Sequence, residues 1–327
     1  MIYNIFFVQF LLYLCFLIYM DNQTLIDSNC VNPSIGLPSV IVLLPCFRSE
    51  WGLPLCLDNL NKIKHLFSDF RILAFCDFSG DKTLEILKKY VEDIDYNIEI
   101  EVVINDKPKR QSKTDSICDA RNYILEIVRE KYKSYEYFIF MDTNEYACVG
   151  EIVPNTLEGV LKRKDEWDSI SFDREGGYYD DWALSFDPFI YSFFHVLPWQ
   201  KTVEMMREEK NKMLKDYKTN KPHEYIPVYS AFNGFAIYKM NKFINCTYDN
   251  NIHIDLFPKE ILDKQLKVTG NKLAGRTNED CEHRKFFLEA IKNNDAKIRI
   301  CVQTLFKKYC GNKLGYNGHR GFQYKIM

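Results

Sequence analysis

Lys and Arg are absent before Arg48, no Cys-x-x-Cys pair occurs anywhere, and neither sign of charge prevails: 43 basic residues face 45 acidic ones, for a formal net charge of -2. The balance excludes the basic face of a nucleic-acid binder, and no nucleic-acid partner is expected. The cysteines number 11, an odd count with irregular spacing, which argues against a disulfide framework. Cys46, Cys56, Cys76 and Cys118 fall in or beside predicted strands and helices, where thiols pack as small hydrophobes. Internal repeats and low-complexity segments are also missing. What is there is a chain of 327 residues, 46% apolar and rich in aromatics, long enough to bury a sizeable core.

Residues Met1 to Met20 form an uncharged apolar run of bilayer-spanning length, and Asp21 follows directly. With no basic residues ahead of it and no small-residue cleavage site behind it, the run reads as an uncleaved single-pass membrane anchor rather than a signal peptide. Its orientation is open, because no flanking Lys or Arg sets it, and a core helix is the alternative. Asn22-Gln-Thr24 and Asn245-Cys-Thr247 are glycosylation sequons that matter only in a lumenal domain. Residues 21–38, with Gly36 and two prolines, read as a linker.

From Val40 the pattern alternates. Val40 to Leu44, Arg71 to Cys76, Ile98 to Ile104 and Tyr135 to Met141 are apolar runs of strand length. Between them, Leu53 to Phe67, Thr83 to Val91 and Asp115 to Tyr132 carry apolar residues at helical spacing. This alternation predicts an α/β fold with a mostly parallel, doubly wound sheet flanked by helices. Later, Trp167 to Phe172, Val228 to Lys239 and Lys297 to Val302 read as strands, and Thr202 to Lys218 and Glu279 to Ile291 as helices, the first of them largely solvated.

The strand at Tyr137 to Met141 stops in Asp142-Thr-Asn144-Glu145. In open α/β sheets ligands collect beyond the strands' carboxyl ends, and Asp142 and Asn144 would project to one side about 7 Å apart in extended backbone. Such oxygen ligands suit Mg²⁺ or Mn²⁺, although Asp and Asn are also the usual residues where a strand simply turns. Gly176-Gly-Tyr-Tyr179-Asp180-Asp181-Trp182 combines stacking surfaces with two carboxylates, suited to sugar rings or to an ordinary aromatic turn. Around Asn233 and Gly234 the backbone could approach a substrate closely, or merely bulge. Glu279-Asp280-Cys281-Glu282-His283 is the densest late cluster; its acids also suit the first turn of a helix capped by Asn278, and Cys281, His283 and Cys310 match no common zinc spacing.

Asp119-Ala-Arg-Asn on a helix, followed by the apolar strand into Asp142-Thr-Asn144, resembles the GT-A glycosyltransferases, specifically the family 2-like enzymes with an Asp-x-Asp motif. Val40 to Pro45 with Cys-Phe-Arg48, and Asp77-Phe-Ser-Gly-Asp-Lys-Thr, resemble that family's first two strands and loops. The likeness covers roughly residues 38 to 175. It implies a Rossmann-like domain whose residues 39–175 bind a nucleotide-sugar donor and whose residues 176–327 supply acceptor binding and catalysis. By the same likeness Pro45, Arg48 and Asp77 border the base, and Arg121 lies near the base or diphosphate. Asp142, Asn144 and His283 would hold Mn²⁺ or Mg²⁺, and Asp280 or Glu279 would deprotonate the acceptor hydroxyl of a glycan, protein or lipid. Asn144 departs from the family's usual second Asp. Tyr179, Asp180, Asp181, Trp182, Asn233 and Gly234 are the acceptor-side candidates. A sugar nucleotidyltransferase, which usually has a Gly-rich loop where Pro45-Cys-Phe-Arg stands, and a non-catalytic membrane-tethered carbohydrate-binding protein are the alternatives.

Overall fold

β-Branched and leucine side chains make Ser39–Cys46 (β1) a strand buried on both faces, and it becomes an interior strand of a sheet. The computed structural model describes residues 36–105, 112–144, 150–190, 199–269 and 279–308. The Met1 to Met20 run, the sequon at Asn22, Glu145, Asn278 and Cys310 lie outside them. No helix among the described residues is long and apolar enough to cross a membrane. The elements named below belong to the second of the two units into which the chain divides, Met1–Leu37 and Pro38–Met327.

After β1 come Leu53–Ile63 (α1), Asp69–Asp77 (β2), Thr83–Glu92 (α2), Glu99–Asn105 (β3), Lys113–Ile127 (α3) and Tyr137–Met141 (β4). Helix α3 widens into a π turn over Val128–Tyr132, so the helical periodicity reaches Tyr132 as expected. The second half adds Glu151–Ile152 (β5), Pro154–Lys162 (α4), Ser169–Arg174 (β6), Trp199–Asn220 (α5), Ile226–Pro227 (β7) and Phe235–Lys239 (β8). Met240–Phe243 (α6), Lys259–Thr269 (α7), Glu282–Asn294 (α8) and Ile298–Lys307 (β9) complete it.

The strands form one sheet in the order β3-β2-β1-β4-β8-β6-β9-β5, with β7 also on β9. Strands β3, β2, β1 and β4 are mutually parallel, and β6 is parallel to β9. The expected α/β class with a mostly parallel sheet therefore holds, with three antiparallel members: β8 between β4 and β6, and β5 and β7 against β9. The expected strand Val228 to Lys239 is broken because Asn233 and Gly234 take positive φ, 58° and 82°, a left-handed bend that no extended strand continues through. What survives of it is β8, after the bend; β7 ends at Pro227, ahead of the expected start.

Alternation along the strands divides the core between two faces. Ile41, Leu43, Phe138, Phe140 and Tyr238 point to the face covered by α3 and α8, through Ile124, Leu125, Phe286 and Phe287. Val40, Val42, Ile139, Met141 and Ile237 meet α1, α2 and α4 through Leu57, Leu60, Leu87 and Leu157. On the first face Tyr238 stacks on Phe138 at 4.8 Å, and Tyr248 on Phe286 at 4.1 Å. On the second, Trp167 is fully buried against Tyr137 and donates its indole N–H to the Val160 carbonyl at 3.1 Å. Helix α5 follows the solvated-helix expectation outside a narrow stripe that includes Val203, Met206 and Leu214. All seven described cysteines are free and buried.

Trp167→Ala should lower unfolding free energy by about 3–5 kcal/mol, since it opens a cavity and removes a buried bond. Urea denaturation checks this, and a loss below about 1 kcal/mol would show that the two-faced core does not depend on this residue.

Candidate active site

Strand order reverses between β1 and β4, which flank each other although β2 follows β1 in the chain. In doubly wound sheets the crevice beyond the carboxyl ends at such a switch is where ligands bind. Several bonds draw the loops after β1, β2 and β4 together there. Thr143 Oγ1 donates to the Pro45 carbonyl at 3.0 Å and pairs with Ser49 Oγ at 2.7 Å, and Ser49 N donates to Thr83 Oγ1 at 2.8 Å. Gly52 permits the closeness: a Cβ there would lie 2.4 Å from the Thr143 carbonyl oxygen. Arg48 adopts φ 52° with its guanidinium 5.2 Å from the Phe47 ring, and Asp77 accepts from Asn105 Nδ2 at 2.6 Å. Pro45 and Arg48 thus lie at the carboxyl end of β1 and Asp77 at that of β2.

At the floor of that crevice lies Arg121, on the sheet side of α3 and only 3% exposed. Its guanidinium is enclosed by the rings of Phe232, Phe140 and Tyr248 at 4.8, 5.0 and 5.4 Å. Nη2 donates to Asp142 Oδ1 at 3.1 Å, and Nε lies 3.3 Å from Glu282 Oε1. Burial opposes the charge on Arg121, but Asp142, with Glu282 and nearby tyrosines, outweighs it and raises the guanidinium pKa above its ordinary value. Burial also raises the Asp142 carboxyl, Arg121 pulls it back, and the net direction is upward. Asp142 is held from the far side too, its N–H donating to the Gly234 carbonyl at 2.9 Å.

His283 stacks on Phe232 at 4.2 Å with Nε2 3.5 Å from Glu282 Oε1. Burial, together with Arg121 and Arg284, drives its pKa well below the usual value, so the ring is neutral. The connection from Asp142 to His283 therefore runs through Arg121 and Glu282. The expected metal ligand His283 thus stands beside Glu282, with the Arg121 guanidinium paired to both Glu282 and Asp142. Asp142 and the exposed Asn144 suit a two-donor site, the kind a divalent ion completes with phosphate oxygens and water. Among the described residues no group of three His, Cys, Asp or Glu side chains could hold an ion, so Cys281 and His283 form no zinc site there.

The expected bases are placed differently. Asp280 is 2% exposed; its Oδ2 accepts from Arg284 Nε at 2.8 Å and its Oδ1 from Cys281 N at 2.7 Å. Arg284 in turn donates to the carbonyls of Ile190 and Trp182 at 3.1 and 2.6 Å and to Ser185 Oγ, so the pair anchors α8 to the 182–190 segment. Glu279 accepts from Ser112 at 3.2 Å and from Thr114, hydroxyls at the start of α3. In this structure both carboxylates hold elements together.

The Tyr178 to Trp182 segment is pinned from two sides. Asn233 Oδ1 accepts from Tyr179 N at 3.0 Å, and its Nδ2 donates to the Phe172 carbonyl at 2.8 Å. Asp181 accepts from Lys210 Nζ at 2.5 Å and Arg207 Nε at 2.6 Å, tying the segment to α5. Asn233 and Asp181 thus position the segment, and half-buried Trp182 packs against the core. Tyr179 remains 43% exposed, and Asp180 is half-buried with Oδ1 accepting from Ala183 N at 3.2 Å. Burial first, then the charges of Asp142 and Glu282, push the Asp180 carboxyl up to about 7 against the Ala183 bond. Sequence reasoning passed over Glu282, Phe232 and Tyr248. Glu282 reads locally as a helix first-turn acid, and only the fold brings the two rings to Arg121.

No family model matches the chain, and no curated protein does. Among solved structures, S. aureus TarS 1-349 in complex with UDP-GlcNAc is similar at 16% identity and TM-score 0.44, over 84% of this chain and 59% of that one. Glucosyl-3-phosphoglycerate synthase from Mycobacterium tuberculosis, with Mn²⁺, UDP and phosphoglyceric acid, is similar at 11% identity and TM-score 0.33, over 63% of this chain and 57% of that one. The mannosyltransferase PcManGT from Pyrobaculum calidifontis, with GDP-Man and Mn²⁺, gives 16% and 0.31 over 43% and 36%. The chain spans 60% of the length of the S. aureus TarS 1-349 structure without ligand. Similarity this remote assigns neither substrate nor residue roles.

Arg121→Ala removes the buried cation that faces both Asp142 and Glu282 and should cost about 3–5 kcal/mol. Without Arg121, burial leaves the folded-state pKa of the Asp142 carboxyl above the unfolded value. The penalty should therefore be small near pH 4 and grow as pH rises towards 8. Denaturation midpoints across that range check the sign.

Proposed function

We propose that the chain is a nucleotide-sugar-dependent glycosyltransferase moving a sugar from the donor to an acceptor hydroxyl. The observation that carries this reading is the meeting, at one switch-point crevice, of Asp142 backed by buried Arg121 with the pinned Tyr179–Asp180 segment from the other half of the chain. The order of motifs along the sequence supports it. In this reading Pro45, Arg48 and Asp77 border the nucleobase, and Asp142 faces the diphosphate. Mn²⁺ or Mg²⁺ held by Asp142 and Asn144 would neutralise charge on the departing diphosphate. Arg121 keeps Asp142 in place, and the aromatic box excludes water from behind the pair. Tyr179 offers a flat apolar face to the acceptor ring, with the Arg174 guanidinium 5.5 Å from its own ring. The acceptor is a glycan, protein or lipid hydroxyl, and the Met1 to Met20 run would tether the enzyme to a membrane.

Calorimetry with UDP-GlcNAc, UDP-glucose and GDP-mannose, with and without Mn²⁺, tests the assignment. Binding of at least one donor, tightened by metal, is expected. Asp142→Asn should weaken the metal-dependent part and lower turnover by ~100-fold, the rate equivalent of roughly 3 kcal/mol of lost charge stabilisation. A chain that binds none of the donors in either condition is a scaffold and not this enzyme.

A further inference from the structure

We propose that the outer edge of β3 is a self-association surface, on which a second copy of this chain pairs its own β3 antiparallel about a two-fold axis. Strand β3 ends the sheet, and among the described residues no strand pairs with its outer side. The Phe78 N–H donates to the Asn105 carbonyl at 3.2 Å, so the backbone of Asn105 faces β2. Backbone groups point to alternate sides along a strand, and those of Ile100, Val102 and Ile104 therefore point outwards. The side chains of these three share the α2 face, where with Leu84 and Val91 they line an open apolar groove. Val91 and Ile104 are 50% and 54% exposed there.

Edge strands are ordinarily blunted by lysine, proline or a bulge. Strand β3 has none of these: it reads Glu-Ile-Glu-Val-Val-Ile-Asn and pairs with β2 in unbroken register from Glu99 to Asn105. Its two acids are answered within the chain, Glu99 by Arg71 at 2.9 Å and Glu101 by Lys131 and Tyr132. The edge thus combines free backbone groups, exposed branched side chains and compensated charge.

A second copy fits because the edge is complementary to itself. With Val102 opposite Val102 on the axis, Ile100 faces Ile104 and Ile104 faces Ile100, and the three outward residues exchange about six backbone hydrogen bonds. On the opposite face Glu99 meets Asn105 and Glu101 meets Val103, so no two acids stand directly across from each other. Lys88 and Glu92 lie one helical turn apart on the α2 wall of the groove. A two-fold reverses the direction of the facing helix, which sets Lys88 towards Glu92 of the copy and Glu92 towards its Lys88. Such an interface closes at two copies and leaves neither β3 edge open. The dimer does not depend on the transferase reading.

Sedimentation of the full chain in dodecyl maltoside micelles, from about 1 to 100 µM protein, is the test. A reversible equilibrium between monomer and dimer is expected. Ile104→Lys, at a half-exposed position, sets a charge against an isoleucine and should weaken association at least ~10-fold, with the thermal midpoint of the dilute monomer kept within ~2 °C. Lys88→Glu and Glu92→Lys should each weaken it by ~3–10-fold through like charges across the axis, and the two exchanges combined should restore it. Both helix positions are exposed, so these variants report on the interface even where the Ile104→Lys chain fails to fold. A chain that stays monomeric throughout the range overturns the proposal. So does a dimer untouched by Ile104→Lys, which would place association elsewhere, such as the Met1 to Met20 run. Failure of the combined exchange to recover association overturns the antiparallel two-fold pairing.

Discussion

A guanidinium almost out of reach of water, boxed by three aromatic rings and bonded to acids from two distant segments, is the constraint on which the rest of the site depends. Removing Arg121 from solvent is unfavourable unless its charge is answered, and Asp142 and Glu282 answer it. Burial likewise disfavours the charge on Asp142, and Arg121 pulls it back. The three groups thus stabilise one another only when α3, the end of β4 and the start of α8 are all in place. The rings add a favourable electrostatic contact with the cation and exclude the water that would compete for it.

Much of the fold was legible because the first half obeys simple rules. Strands buried on both faces read as continuous apolar runs, and the intervening helices show one apolar stripe, so β1 to β4 and α1 to α3 follow from periodicity. The second half obeys them less well. An antiparallel strand between parallel neighbours has no local signature, and β8 looks like the end of a longer strand until the positive φ of Asn233 and Gly234 interrupts it. Helices α4 and α7 lie in stretches whose apolar residues are too sparse to stand out by spacing.

The site was legible as a region and less so as a set of roles. Asp142 is marked by the abrupt end of an apolar run, and Arg121 by its place on the preceding helix. Which late acid faces the crevice is not a property of the 279 to 283 segment alone. Asp280 lies two residues outside α8, where Arg284, four positions on, reaches back to it; Glu282 lies just inside, facing Arg121. A two-residue difference separates an anchor from a member of the central cluster, and only tertiary packing decides between them. The same holds for Asp180 and Asp181, neighbours of which one is bound by two cations and the other by none among the described residues.

The antiparallel insertion of β8 has a further consequence for how the chain is made. Strand β4 is complete at Met141, yet its second neighbour spans Phe235–Lys239, so during synthesis one edge of a very apolar strand waits unpaired while the intervening residues emerge from the ribosome. Such an edge invites pairing with other chains. Nascent chains stalled between these two strands would therefore be the aggregation-prone species, and they would be natural clients for chaperones that shield exposed sheet edges.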